Sequence, residues 1–510
     1  MKRLGRVLFS RYAVSAAFII LEVICVIYLF LRASTYSYLA FALAMLADIL
    51  TILIVINMDA NPEYKVSWLA IVLALPVAGA VLFSLFYRRR LSRREAGLLR
   101  GTIGELAAYT DRDAKDELAA HGAAASGFAE VVLSQSPLSM VYSGTDSRFI
   151  SSGEEYFESL LKDLRRAERY IFMEYFIVER GAVWDEIHGV LRERAVAGVD
   201  VRLVYDDLGC MGKLPPHYER TLAAENISCC RFNKLRPVAT LAHNNRDHRK
   251  ICVIDGRVAY TGGVNIADEY ANLKHPFGVW RDGGIRIRGL AVEGLLKSFL
   301  STWDFCSHTV SDYESLLSEV TESDAPDGGL YMPFGTGPYP VYRRPVGKNI
   351  ILHTINRADK YLYVTTPYLV MDYDLTVAFC NAAARGVDVR IITPGIADKK
   401  TVKIMTKSSY PYLMEAGVKI YEFAPGFIHE KTLVCDDRYA LVGTINLDYR
   451  SLMHNLECAV WMCDTPTVIS AREGIERTLK ECVQMNDEHS RLTFVEWAVR
   501  LWMKIFAPLM

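Results

Sequence analysis

Apolar runs along the chain shorten beyond residue 86, and the change divides the molecule into two regions. Three long runs come first, 12–31, 38–57 and 66–86, each close to the roughly 20 residues with which a helix crosses a bilayer core. They predict a membrane region over residues 1–94. Farther on, Tyr170–Ile177 and Tyr361–Leu369 are short apolar runs that read as buried strands. Each is followed by a helical stretch and a shared pentapeptide, Gly198-Val-Asp-Val-Arg202 and Gly386-Val-Asp-Val-Arg390. There the glycine ends a helix and the valines start a strand. Strand, helix, strand is therefore written twice, which predicts an α/β fold of two similar halves with partly parallel sheets. The boundaries read as a lead-in over 95–136, a first half over 137–310, a polar connector over 311–337 and a second half over 338–490. A tail, 491–510, follows. In the tail Phe494, Trp497, Leu501, Trp502, Ile505 and Phe506 recur at helical spacing, on a helix that either lies at a bilayer surface or docks on the globular core.

Composition fits embedded segments, with 51% hydrophobic residues and a mean hydropathy of +0.13. Lys2, Arg3, Arg6 and Arg11 give the first run the look of a signal sequence, but its length and the further runs behind it favour an uncleaved membrane segment. Arg88, Arg89, Arg90, Arg93 and Arg94 follow the third run and outweigh that first basic group, which places the large C-terminal region in the cytosol. Glu22 and Asp48, inside apolar runs, read as protonated or paired groups at a helix interface. A net charge of -1 offers nothing to a nucleic-acid partner. The eleven cysteines include no Cys-x-x-Cys pair and read as reduced thiols, with Cys252 and Cys435 as small buried hydrophobes.

The chemistry lies in a second duplication. His248-Arg249-Lys250 leads to Asp255, and His429-Glu430-Lys431 leads to Asp436 at the same spacing. Asn265 and Asn446 then follow their histidines at equal distance, with glycines just before them at Gly262/Gly263 and Gly443. Two matched half-sites imply one composite active site. In a strand, residues i and i+2 share a face, so each half presents an imidazole and an ammonium together. Asp255 and Asp436, at odd offset, face away and read as closing a turn. Lysine and asparagine donors in a dry site suit charge developing on a phosphate, which points to phosphoryl chemistry. A divalent metal is disfavoured, because a lysine stands two residues from each histidine and no His-x-x-x-His spacing occurs.

These motifs resemble the phospholipase D superfamily, and their context resembles its bacterial cardiolipin synthases. The stretches that carry the resemblance are Asn245 to Asp255, Tyr260 to Tyr270, Trp280-Arg-Asp282, Gly426 to Lys431 and Gly443 to Ser451. Asn61-Pro62, Trp68, Pro76 and Gly79 resemble that family's N-terminal hairpin, while the run 12–31 is additional to it. The resemblance implies two phospholipase D-like half-domains, mixed sheets flanked by helices, related by pseudo-two-fold symmetry and preceded by transmembrane helices. It also implies a ping-pong reaction without metal or cofactor. His248 would be the nucleophile and His429 the acid and base; Asp282 and Glu457 would orient the histidines. Lys250, Lys431, Asn265 and Asn446 would hold phosphate oxygens. The implied reaction transfers a phosphatidyl group from one phosphatidylglycerol to another, with membrane lipids as the partners. Another phosphatidyltransferase, a lipid hydrolase, a nuclease or a membrane scaffold without activity are the competing functions.

Overall fold

The computed structural model describes residues 38–87, 93–109, 136–234 and 245–509, together with Ile24 and Tyr28. Two compact units divide the chain, and both half-domains belong to the larger, which comprises 94–233 and 246–500. In chain order, the first half carries β1 (Thr145–Ile150), β2 (Tyr170–Tyr175), β3 (Asp200–Asp206), β4 (Ile227–Phe232), β5 (Lys250–Ile254), β6 (Val258–Gly262), β7 (Val279–Arg281) and β8 (Gly284–Gly289). The second half carries β9 (Leu330–Thr336), β10 (Tyr361–Thr365), β11 (Leu369–Val370), β12 (Asp388–Pro394), β13 (Lys419–Phe423), β14 (Gly426–Ile428), β15 (Thr432–Cys435), β16 (Tyr439–Gly443), β17 (Leu447–Asp448), β18 (Glu457–Cys463) and β19 (Cys482–Gln484).

The first sheet runs β1-β8-β6-β5-β2-β3-β4 and the second β19-β13-β12-β10-β15-β16-β18-β9. Read from the opposite edge, the second repeats the first strand for strand and adds β19. In each, three strands are parallel (β2-β3-β4 and β10-β12-β13) and the remaining pairings are antiparallel. Parallel neighbours need a crossover, and the helices Ala182–Val196 and Tyr373–Ala384 supply it between β2 and β3 and between β10 and β12. The repeated pentapeptide works the same way in both copies. Gly198 and Gly386 each end a helix at φ 94°, a left-handed conformation open to glycine. Arg202 and Arg390 pair with Asp200 and Asp388, and their guanidinium carbons lie 4.7 Å from the ring centres of Phe172 and Tyr363. The second sheet starts inside the stretch read as a connector, because Leu330–Thr336 is fully buried and pairs with β18.

The smaller unit corrects the expectation of three membrane helices. The run 12–31 lies outside the described residues. The run 66–86 is two helices, Pro62–Ala74 and Ala78–Tyr87, that fold back on each other. The ring centres of Trp68 and Phe83 are 5.2 Å apart, where one straight helix would hold them about 22 Å apart. The break has local causes. Pro76 donates no amide hydrogen, Val77 takes φ 64°, and the Asp48 carboxylate accepts the Val77 amide at 2.9 and 3.0 Å. At Gly79 a Cβ would sit 2.5 Å from the Val72 Cα, so this close approach of helices requires glycine. Asp48 is thus a paired group at a helix interface. The helix Tyr38–Asn57 has side chains described from Ala42 onward, and among the described residues no helix is long and apolar enough to cross a membrane. Val55, Met58, Trp68, Val72 and Phe83 form the core of this unit, with Leu509 packed against it.

Candidate active site

Asp255 and Asp436 do for each half what a turn-closing residue must. Both lie at the end of the motif strand in left-handed turns, φ 53° and 56°. The Asp255 carboxylate accepts the amides of Glu168, Arg169 and Tyr170, each at 2.8 Å. That of Asp436 accepts Asp359, Lys360 and Tyr361 at 2.7, 2.9 and 2.8 Å. At Asp255 these donors are buried or half-buried, whereas at Asp436 two of the three are exposed; in both halves they tie the end of the motif strand to the start of its neighbour.

The histidines sit just before β5 and β15, and backbone from the opposite half fixes both. His248 donates its amide to the Leu456 carbonyl at 2.9 Å, and His429 donates to Arg281 at 2.7 Å. Short parallel pairing of β14 with β7 continues the second contact. The side chains are crossed in the same manner: His248 Nδ1 lies 2.9 Å from Glu457 Oε2, and His429 Nδ1 lies 2.7 Å from Asp282 Oδ2. Each half therefore carries the carboxylate that orients the other half's imidazole. With Nδ1 engaged, Nε2 is the nitrogen left for chemistry on both rings. Lys250 and Lys431 turn their ammonium groups back to the backbone carbonyls of His248 and His429, and each ammonium charge acts on the imidazole of its own half.

The halves differ in how the carboxylates are held. Glu457 accepts Thr444 Oγ1, Ser451 Oγ at 2.7 Å and Asn455 Nδ2 at 3.2 Å besides His248. Burial acts to raise this carboxyl, but the His248 imidazole, the Lys250 ammonium and the Thr444 hydroxyl hold it below the usual range. Asp282 has His429 and the Gly283 amide at 2.8 Å, and burial pushes it up to about 6 against the pull of Lys431. At the position equivalent to Thr444 stands Gly263, where a Cβ would lie 2.0 Å from Asp282 Oδ1. The site is dry enough to disfavour cations. Burial lowers His248 to about 4, Lys250 to about 8 and Lys431 to about 7, although Glu457 and Asp282 act to raise these groups. His429 falls well below its ordinary value, through burial and then the charges of Lys431, Lys250 and His248. Two imidazoles and two ammonium groups thus lie close enough in one buried region for their charges to act on one another.

The asparagines are not equivalent. Asn265 accepts the Ile177 amide at 3.0 Å and donates to the Tyr270 hydroxyl at 2.7 Å, which ties its amide into the fold. The Asn446 side-chain oxygen is buried without a hydrogen-bond partner. Sequence reading missed the residues that hold Glu457, the aromatic walls formed by Phe176 beside His248 and by Tyr270, Trp280 and Phe427 beside His429, and the ion pair of Arg246 with Asp206. Arg246, Thr444 and Ser451 stand inside the motif stretches, yet they have no like residue in the other half, so the duplication gave no signal for them.

Residues 160–281 and 351–479 match the family described as cardiolipin synthase, phospholipase D-like domain, and residues 46–86 match the phospholipase D-nuclease N-terminal family. A Streptococcus mutans protein without a functional name is 36% identical over 84% of this chain and 93% of its own length. A cardiolipin synthase from Geobacillus is 33% identical over 84% of this chain and 85% of its own. Among solved structures, phosphatidylserine synthase from Haemophilus influenzae covers 75% of this chain and 97% of its own length, with a TM-score of 0.56 at 13% identity, a likeness of fold.

Proposed function

From the premise that this chain belongs to the cardiolipin synthase family of phospholipase D-like proteins, we propose that it is a phosphatidyltransferase that joins two phosphatidylglycerol molecules into cardiolipin and releases glycerol. The observation that carries the reading is the pair of crossed, carboxylate-held imidazoles, each with its own buried lysine. His248 Nε2 attacks the phosphorus of the first lipid. The bond from phosphorus to the glycerol oxygen breaks, and His429 gives that oxygen its proton. The glycerol hydroxyl of the second lipid then enters and gives its proton back to His429 as it attacks phosphorus. The phosphorus–nitrogen bond breaks, and His248 is restored.

The carboxylates support this division of labour. Phosphatidyl-imidazolium carries a positive charge for the whole life of the intermediate, and Glu457, held low by its donors, is the better counter-charge. His429 must gain and lose a proton, which suits the more weakly held Asp282. Lys250, Lys431 and Asn446 face the phosphate oxygens in this scheme. The chain works at the bilayer in this reading, a place supported by the exposure of Leu43, Leu46, Leu50, Leu53 and Ile54 on the helix Tyr38–Asn57.

Purified protein incubated with phosphatidylglycerol vesicles and a chelator is expected to yield cardiolipin and free glycerol in equal amounts, read by mass spectrometry. Phosphatidic acid in place of cardiolipin would make it a hydrolase. No product from phosphatidylglycerol, but transfer once a second lipid class is added, would change the acceptor.

A further inference from the structure

The tail read from sequence as lying either on a bilayer or on the core is a helix, Phe494–Phe506, and none of its residues is buried. It starts by local design: Glu496 accepts the Thr493 amide at 2.8 Å, and Thr493 Oγ1 accepts the Glu496 amide at 3.3 Å, a reciprocal cap. Its period gathers Phe494, Trp497, Leu501, Trp502 and Phe506 on one side, with Glu496, Arg500 and Lys504 in a stripe on the other. A helix on a soluble protein turns such an apolar side inward. Here the apolar side is outward: Phe494 is 80% exposed and Trp502 69%, while Glu496 and Arg500 of the polar stripe are half-shielded.

A second observation says what covers that face. The turn that ends the helix, Ala507–Leu509, packs on Pro62–Ala74, and Leu509 joins the Val55, Met58, Trp68, Val72 and Phe83 cluster of the apolar unit. That unit exposes the row Leu43, Leu46, Leu50 and Leu53. The end of the amphipathic helix is thereby fixed to a unit whose described exterior carries a row of exposed leucines. Its apolar side is free of charge, and its flank has two cations against one acid, the charge that an anionic headgroup layer complements. Tryptophans at 497 and 502 suit the boundary between headgroups and acyl chains.

We propose that Phe494–Phe506 is an interfacial helix, seated in the plane of an anionic lipid surface with Trp497 and Trp502 at the acyl boundary. The inference stands independently of the reaction proposed above.

The test uses the full chain reconstituted in phosphatidylglycerol-containing vesicles, with acyl chains brominated near the glycerol end in one preparation. Wild type is compared with the Trp497→Phe, Trp502→Phe double variant, whose conservative changes keep the helix apolar. The difference in emission between the two proteins isolates these indoles. It is expected to be blue-shifted and largely quenched by the brominated lipid, with little quenching by iodide in water. Indoles quenched by iodide and not by bromine would place the helix in water and overturn the proposal. Indoles shielded from both quenchers would place it against protein, either its own or a second copy, and overturn it equally. As a second readout, Leu501→Glu with Trp502→Glu is expected to lower turnover of vesicle lipid about tenfold, as loss of buried apolar area predicts, and to spare turnover of the same lipid in detergent micelles. Equal loss in both media would also count against it.

Discussion

At the scale of single residues, the assignment of nucleophile and acid rests on Glu457 and Asp282, and it can be separated from general loss of activity. A phosphatidyl ester of p-nitrophenol has a leaving group that departs without a proton. With that donor, His429→Ala is expected to release one equivalent of nitrophenol in a burst and then stall, because the intermediate on His248 lacks a base to activate the acceptor. His248→Ala is expected to give no burst. A burst from His248→Ala alone would reverse the two roles. Gly263 offers a second test. A Cβ there would lie 2.0 Å from Asp282 Oδ1 and 2.7 Å from the His429 carbonyl oxygen, backbone that cannot move far. Gly263→Ala is expected to cost about two orders of magnitude in turnover, as a displaced catalytic group does, with the far-ultraviolet circular dichroism unchanged. Activity within a few-fold of wild type would mean that the Asp282–His429 contact is dispensable. Residues of this kind were legible as far as the duplication reached. The structure brings both histidines, both lysines and the carboxylates of Asp282 and Glu457 together. That the carboxylates would serve the opposite half was not legible, since no linear spacing records which side of an interface a strand end meets.

At the scale of elements, the duplicated strands owe their registration to the aspartates that end them. Replacing one carboxylate oxygen by an amide in Asp255→Asn or Asp436→Asn turns an acceptor of three backbone amides into a group that can set a donor against them. A buried donor left unsatisfied costs about 1–3 kcal/mol and an exposed one less, so Asp255→Asn is expected to lose several degrees of thermal stability and Asp436→Asn fewer, while any folded fraction keeps its chemistry. Calorimetry with activity per folded molecule checks this, and normal unfolding with lost turnover would assign these residues a direct part in catalysis. The α/β repeat, the parallel strands and the paired pentapeptides were all readable from period and glycine placement, because each is decided within a few residues. The break in 66–86 was not. Its apolar content matches a single span, and only the Asp48 carboxylate, 29 positions before Val77, supplies the partner that lets the chain turn at Pro76. Likewise β9 hid in a polar connector because its burial comes from β18, more than a hundred residues on.

At the scale of the whole molecule, folding gathers four basic side chains into one buried space, and proton binding should report it. His248 is lowered to about 4, His429 lies well below its ordinary value, and Lys431 is lowered to about 7. A base whose folded value is depressed binds fewer protons folded than unfolded, so stability rises with pH. For His248 the gain accrues from about 4 up to the unfolded value near 6.5 and is complete above it. The raised Asp282 carboxyl acts in the opposite direction, so the His248 contribution is read as a difference: without lipid, the melting temperature of wild type is expected to rise relative to that of His248→Ala as pH climbs from 5 to 7. A bound phosphodiester reverses the balance, since its charge favours the protonated forms that burial disfavours. In the proposed reaction a neutral imidazole cannot protonate the leaving alkoxide, so phosphodiester binding is expected to charge the acid. A non-reactive phosphodiester analogue is then expected to draw at least about one proton from solution at pH 7, read as a dependence of the calorimetric binding heat on the ionisation enthalpy of the buffer. His429→Gln is expected to diminish that uptake. Binding with no proton uptake in wild type would mean that the acid is already charged before the phosphodiester binds, and would overturn this account of where the proton comes from.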